Sequence, residues 1–201
     1  MENAINILLE SIHNLSCKKS PLLLAIDGRC ASGKTTLALK IKEHINCNVI
    51  HMDHFFLRPE QRTEERLAQP GGNIDWERFL SEVLVPLSKD QTFLYRPYDC
   101  HKQEFREAIK IEPKPVALLE GSYSCHPRLF DKYDFHVFMN VDPAEQLRRI
   151  QARNGLSAAA IFRDKWIPLE EKYFASFNIA EKCELCLQTG TIKHFPDSLK
   201  A

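Results

Sequence analysis

A chain of 201 residues, 44% hydrophobic and 27% charged, is long enough to bury one sizeable core and too short for two full-sized domains. Lysine plus arginine and aspartate plus glutamate each number 27, so the formal net charge at pH 7 is zero. That balance gives no global basic field to draw in a nucleic acid polymer or an anionic membrane, and any phosphate must be held by a local arrangement.

The first residues, Met1 to Glu10, place no basic stretch ahead of their apolar ones. No segment approaches the ~20 apolar residues that span a bilayer. The expectation is a cytoplasmic protein without a membrane partner. Seven cysteines, an odd number, run from Cys17 to Cys186 without framework spacing and read as free thiols and small buried groups. Cys183-Glu184-Leu185-Cys186 spells half of a zinc or redox site, but no second pair completes it.

In chain order, Asn6, Ile7, Leu8, Leu9, Ile12 and Leu15 fall at helical spacing and predict an amphipathic helix near 3–16. Leu22 to Ile26 is a short apolar run of the kind buried in parallel sheets, followed by a glycine-bearing turn and a helix from Lys34 to His44. Asn48 to Met52 predicts a second strand ending at Asp53. Residues 57–73, polar and carrying Pro59, Pro70, Gly71 and Gly72, read as a mobile loop or lid. Asp75 is placed to cap a helix through Leu87, with Trp76, Phe79, Leu80, Val83 and Leu84 on its apolar face.

Phe93 to Tyr95 and Ala108 to Ile111 predict a small strand pair. Val116 to Leu119 and Phe135 to Val141 are further buried strands, the first ending at Glu120-Gly121. Helices follow near Ala144–Ala152 and Ala158–Phe174, parted by Arg153-Asn154-Gly155 and kinked at Pro168, before a last strand at Cys183–Leu187. Strands alternating with helices predict an α/β fold with a parallel sheet flanked by helices. The organisation expected is a single domain over 1–201, with lid and acceptor-site insertions near 57–73, 93–112 and 148–165.

The strongest motif is Gly28-Arg29-Cys30-Ala31-Ser32-Gly33-Lys34-Thr35, a full G-x-x-x-x-G-K-[ST] phosphate loop between a strand and a helix. Glycines admit the backbone close to phosphates, and the loop N–H groups and helix dipole face the anion. Lys34 adds positive charge near the β- and γ-phosphates, and the Thr35 hydroxyl is suited to Mg²⁺. In open α/β sheets the chemistry lies beyond the carboxyl ends of the strands, where Asp53 and Glu120 both fall. Phosphoryl transfer needs one acid in the metal shell and one to take or orient the acceptor's proton. Glu120 is assigned the first role and Asp53 the second.

With these residues placed, the chain resembles the uridine kinase and phosphoribulokinase group of P-loop kinases from about Leu22 to Leu187. Gly28 to Thr36 is similar to the family's phosphate loop. Asp53-His54-Phe55-Phe56 resembles its Asp-x-Phe-Tyr segment, whose aspartate is the catalytic base. Asn73-Ile74-Asp75-Trp76 resembles its Asn-Phe-Asp-His segment, whose aspartate binds acceptor hydroxyls, and Pro97-Tyr98-Asp99 its Pro-x-Tyr-Asp region. Glu120-Gly121 matches the Glu-Gly pair of the metal-associated strand, and Arg148, Arg149 and Arg153 fall where its lid arginines lie.

The resemblance implies ATP and Mg²⁺, a small-molecule acceptor and an arginine-bearing lid. Arg148 is expected at the ATP, Arg149 and Arg153 with Lys34 on the moving phosphoryl group, and Asp75, Tyr98 and His101 at the acceptor. The pattern departs in the acceptor pocket: Gln103 falls near the place of the histidine in members that use uridine, Phe56 replaces a tyrosine, and Cys100 an aromatic. Nicotinamide riboside, pantothenate and sugar alcohols therefore stay open beside a nucleoside, as does self-association into a homo-oligomer.

Of the other conspicuous residues, His51 and His54 read as hydrogen-bonded structural groups, lacking a third metal ligand. The mixed charges from Arg58 to Arg66 read as a solvated face, the alternative being that Arg58 or Arg62 reaches substrate. Trp166, Tyr173, Phe174 and Phe177 read as a core stripe. A regulatory ATPase or switch acting on a protein is the rival reading. A guanine-reading Asn-Lys-x-Asp motif is missing from the sequence.

Overall fold

Residues 2–189 are described by the computed structural model; Met1 and 190–201, the ends of the domain span expected from the sequence, lie outside them. Helix α1 (Glu2–Ser16) leads to β1 (Leu22–Gly28), α2 (Lys34–His44) and β2 (Cys47–His51). A 3₁₀ turn, Met52–Phe55, follows β2, and another, Pro59–Gln61, precedes α3 (Glu64–Ala68). The helical stretch after Asp75 comprises α4 (Trp76–Phe79), a π turn Leu80–Leu84 and α5 (Val85–Ser88). Two small antiparallel ladders come next: β3 (Phe93–Tyr95) pairs with β6 (Ile109–Ile111), enclosing β4 (Tyr98–Asp99) and β5 (Glu104–Phe105). Then follow β7 (Val116–Glu120), α6 (Pro127–Phe130), β8 (Phe135–Asn140) and α7 (Pro143–Asn154). The chain continues through α8 (Leu156–Ile161), a π turn Phe162–Trp166, α9 (Ile167–Phe177), α10 (Ile179–Lys182) and β9 (Leu185–Gln188).

The apolar runs β2, β7, β1, β8 and β9 lie side by side in that order as one parallel sheet. Alternation along β1 sorts the interior into two layers. Leu22, Leu24 and Ile26 pack with Leu8 and Ile12 of α1 and Leu37 and Ile41 of α2. Leu23 and Ala25 pack on the opposite face with Phe79, Val83, Tyr173 and Phe174. The sheet is thus covered on both faces, which is why its strands read as continuous apolar runs. In register, Glu120 lies beside both Ile26 and His51, so the carboxyl ends of β1, β2 and β7 form a row.

The fold class, the sheet and the strand pair 93–95/109–111 agree with the sequence. Asp75 caps its helix as expected, Oδ1 accepting the Arg78 N–H at 3.0 Å. The 57–73 segment differs from the expected loop. Thr63 caps α3 through the Arg66 N–H at 3.1 Å, and Phe56 bridges to Ile74. The Arg66 guanidinium fastens the segment by two 2.8 Å bonds to Glu77 and one of 3.0 Å to the Ile74 carbonyl. Order there comes from side chains reaching distant residues, which polarity and turn residues do not reveal. The irregularity near Pro168 is the π turn just before it: the backbone stays helical through Trp166 and Ile167, so the proline sits inside a continuous helix at its locally widened stretch. The ladder β4–β5, α6 and α10 are too short to carry a periodic signal.

Candidate active site

Beyond the row of strand ends opens a cleft of ≈ 890 Å³, within the range that holds small ligands and cofactors. The phosphate loop forms its floor. Gly28 has φ +131°, and a Cβ there would stand 2.1 Å from the Met139 carbonyl oxygen, so only glycine lets β1 end against β8. Gly33 precedes α2 at φ 98° without any side chain capping the helix, whose first N–H groups are the ones an α-helix leaves unpaired. Ser32 is fully buried and, among the described residues, its hydroxyl has no partner. Lys34 Nζ donates to the Gly28 and Arg29 carbonyls at 2.7 and 2.9 Å, curling the loop around its own ammonium. These features fit a bound phosphate chain: an open helix N-terminus, a spare buried hydroxyl and a fixed cation.

The Thr35 hydroxyl lies 3.0 and 3.1 Å from the two Glu120 oxygens, which share its single proton. Glu120 also bonds His51 Nδ1, which raises the pKa of that imidazole. Thr35 and Glu120 thus present one hydroxyl and one carboxylate together. Magnesium prefers that modest donor set, taking its remaining ligands from water and phosphate. Among the described residues no three His, Cys, Asp or Glu side chains gather as a metal site. Cys183 and Cys186 are free, and His54 bonds the Tyr95 hydroxyl at 3.1 Å, with burial pushing it down to about 4.

Asp53 lies in the cleft, open to solvent. Its carboxyl is raised above the usual aspartate range, first by the surrounding protein's desolvation and then by Glu120, while Lys34, His51 and Arg153 pull the other way. Behind the loop, Asp27 is completely buried. Its Oδ1 accepts the Gly28 and Tyr123 N–H groups at 2.6 and 3.0 Å; Oδ2 accepts the Cys125 N–H and Tyr173 hydroxyl at 2.8 and 2.9 Å.

The cleft also gathers Cys30, Ala31, Gly33, Thr36, His101, Arg149 and Arg153. Other expected residues stand elsewhere. Arg148 is 70% exposed and paired with Glu145, because one residue turns the helix about 100° away from the face that Arg149 and Arg153, four apart, share. Arg29 turns back to Glu171, at 2.6 and 2.8 Å. Asp75 is buried behind the wall, with Oδ2 accepting from Gln61 at 2.8 Å. Tyr98 is buried edge-on against Phe105, its hydroxyl unpartnered among the described residues, because β4–β5 pairing turns it inward.

Residues given no such place from sequence also line the cleft, among them Arg62, Asn73, Trp166 and Glu170. The sequence offers Arg62 only as an alternative and Trp166 as core, which holds instead for Tyr173 and Phe174. Glu170 lies at helical spacing between Trp166 and Tyr173, and an acid within an apolar stripe was the available signal.

No family model matches the chain. The uridine kinase of Ureaplasma parvum serovar 3 is 31% identical over 142 residues, covering 65% of this chain and 68% of that protein. The chain belongs to the uridine kinase family. A uridine kinase from Latilactobacillus sakei is 27% identical over 159 residues, 74% of each chain. Among solved structures, a possible uridine kinase from Bacillus stearothermophilus superposes with a TM-score of 0.68 at 18% identity, over 92% of this chain and 97% of that one. As a member of the family, the chain is a nucleotide-binding P-loop phosphotransferase acting on a hydroxyl of a small metabolite. Within the described residues no helix is long and apolar enough to cross a membrane.

Proposed function

We propose that the chain transfers the γ-phosphoryl group of ATP, with Mg²⁺, to a hydroxyl of a nucleoside, as its uridine kinase relatives' names suggest. The observation that carries this reading is the meeting, in one cleft, of the phosphate loop, the Thr35–Glu120 pair and Asp53. Bound Mg²⁺ neutralises charge shared between the terminal phosphates. Lys34 and the α2 N-terminus hold the phosphates, and Thr35 and Glu120 hold the metal. Asp53 accepts the acceptor hydroxyl's proton, a task its raised pKa favours. Arg149 and Arg153 stabilise charge on the moving group.

The rings of Phe56, Phe162 and Trp166 offer apolar faces to a base, and Asn73 and His101 offer polar edges. Asp75 and Tyr98 act from behind the wall, Asp75 by holding Gln61.

The test is transfer from γ-labelled ATP to uridine, cytidine, nicotinamide riboside, pantothenate and several sugars, with Asp53→Asn beside the wild type. The expected result is a labelled nucleoside monophosphate, with turnover ~10²–10⁴ lower in the variant. Label appearing only as inorganic phosphate with every acceptor would refute the kinase reading. A labelled product from a non-nucleoside alone would refute the acceptor class.

A further inference from the structure

Glu170 is 4% exposed, yet its carboxylate reaches the phosphate loop from α9. The Cys30 N–H donates to Oε2 at 3.0 Å, and the Ser122 hydroxyl donates to Oε1 at 2.6 Å. Lys34 Nζ in turn donates to Ser122 Oγ at 3.4 Å. Ser122 also lies 3.4 Å from the Gly28 carbonyl, but a hydroxyl has one proton, and the short contact to Glu170 claims it. The serine lone pairs are therefore left to face Lys34. The adjacent Glu171 grips Arg29, so two successive acids of α9 hold two successive loop residues.

We propose that Glu170 is a positioning residue for phosphoryl transfer, aiming Lys34 through Ser122 and holding the Cys30 N–H while opposing the nucleotide's phosphates in the ground state. The proposal rests on the kinase reading above. A charged carboxylate beside the loop repels the phosphate chain, so it weakens nucleotide binding; by orienting Ser122 it keeps the lysine where charge develops. Burial raises the pKa of Glu170, while Lys34, the Ser122 hydroxyl and the Cys30 N–H all favour its charged form.

The two roles separate in Glu170→Gln. The amide oxygen still accepts from Cys30, but the amide nitrogen meets Ser122 as a donor and reverses that bond. Its proton then turns to the Gly28 carbonyl, where it competes with the Lys34 ammonium for that oxygen. Loss of the charge tightens ground-state binding, while loss of the aim slows turnover. That combination is the signature of removed ground-state strain.

The experiment measures ADP affinity by calorimetry, which needs no acceptor, and turnover with the accepted substrate. It uses the wild type, Glu170→Gln, Ser122→Ala and the double variant, with thermal unfolding to establish that each is folded. Glu170→Gln is expected to bind ADP about tenfold tighter and to turn over about tenfold more slowly. Ser122→Ala is expected to share the loss of turnover without the gain in affinity, and the double variant to be no slower than either single.

Unchanged or weaker ADP binding in a folded Glu170→Gln protein, or turnover losses that multiply, would overturn the proposal. Should Glu170→Gln not fold, Ser122→Ala decides it: a tenfold slower enzyme with unaltered ADP affinity supports the relay, and wild-type turnover refutes it. Failure of every acceptor would refute the kinase reading alone, since the ADP measurement still judges Glu170.

Discussion

Replacing Asp27 by alanine removes one side chain and strands four donors. The Gly28, Tyr123 and Cys125 N–H groups and the Tyr173 hydroxyl all lose their acceptor in a site water does not reach. Each buried donor left unpaired costs roughly 1–3 kcal/mol, a gross loss of about 4–12 kcal/mol. The relief of no longer burying a carboxylate offsets part of this, since burial holds the Asp27 pKa above its usual value. The lower end of the range, about 4–6 kcal/mol, is the expected net cost, a large share of the ~5–15 kcal/mol that holds a domain folded.

Asp27→Asn separates the terms. Its oxygen keeps two donors and its amide can donate to the Tyr173 oxygen, leaving the Cys125 N–H and the Tyr173 O–H without an acceptor. Two unpaired donors cost roughly 2–6 kcal/mol gross, and the lost buried charge offsets part of this, so a loss of about 1–3 kcal/mol is expected. Urea unfolding at pH 7, followed by circular dichroism, measures both. An Asp27→Ala unfolding free energy within about 1 kcal/mol of wild type, or an asparagine variant less stable than the alanine one, would refute this reasoning.

Two further expectations concern catalysis. Arg153→Ala should lower turnover by on the order of 10², while Arg148→Ala, whose guanidinium faces solvent beside Glu145, should stay within about twofold of wild type; steady-state kinetics of the pair checks this. If Asp53 works as the unprotonated base, kcat/KM falls as pH drops through its folded pKa. That pKa is raised, so the acid limb should lie above the ~3.9 of an ordinary aspartate. A pH profile measured in a His51→Asn background keeps the neighbouring imidazole's titration out of the limb, and a midpoint at or below the ordinary value would contradict the assignment.

The parts of this fold that were legible in sequence are those with strong local signals. Five apolar runs and the phosphate-loop spelling led to the parallel sheet, the loop and the strand-end positions of Asp53 and Glu120. What escaped depends on side chains meeting across the chain. Asp27 sits in an apolar run and gives no hint that it binds α9 and the turn after β7. Arg66 looks like one charge among many until Glu77 is seen beside it. Arg148 is a different case. Helical periodicity alone sets it off the face of Arg149 and Arg153, so its exclusion from the cleft was available from spacing.

The break at Gly155 has one more consequence. Upstream, on α7, stand Arg149 and Arg153; downstream, on α8, stand the exposed apolar side chains Leu156 and Ile161, 72% and 55% accessible. Charge and exposed apolar surface are thus carried by consecutive segments of the chain, and Ile161 shares the cleft wall with the two arginines. Added salt screens the first and leaves the second intact, because screening acts on charge and not on apolar surface. Ionic strength is therefore a dial that addresses one half of this wall without touching the other.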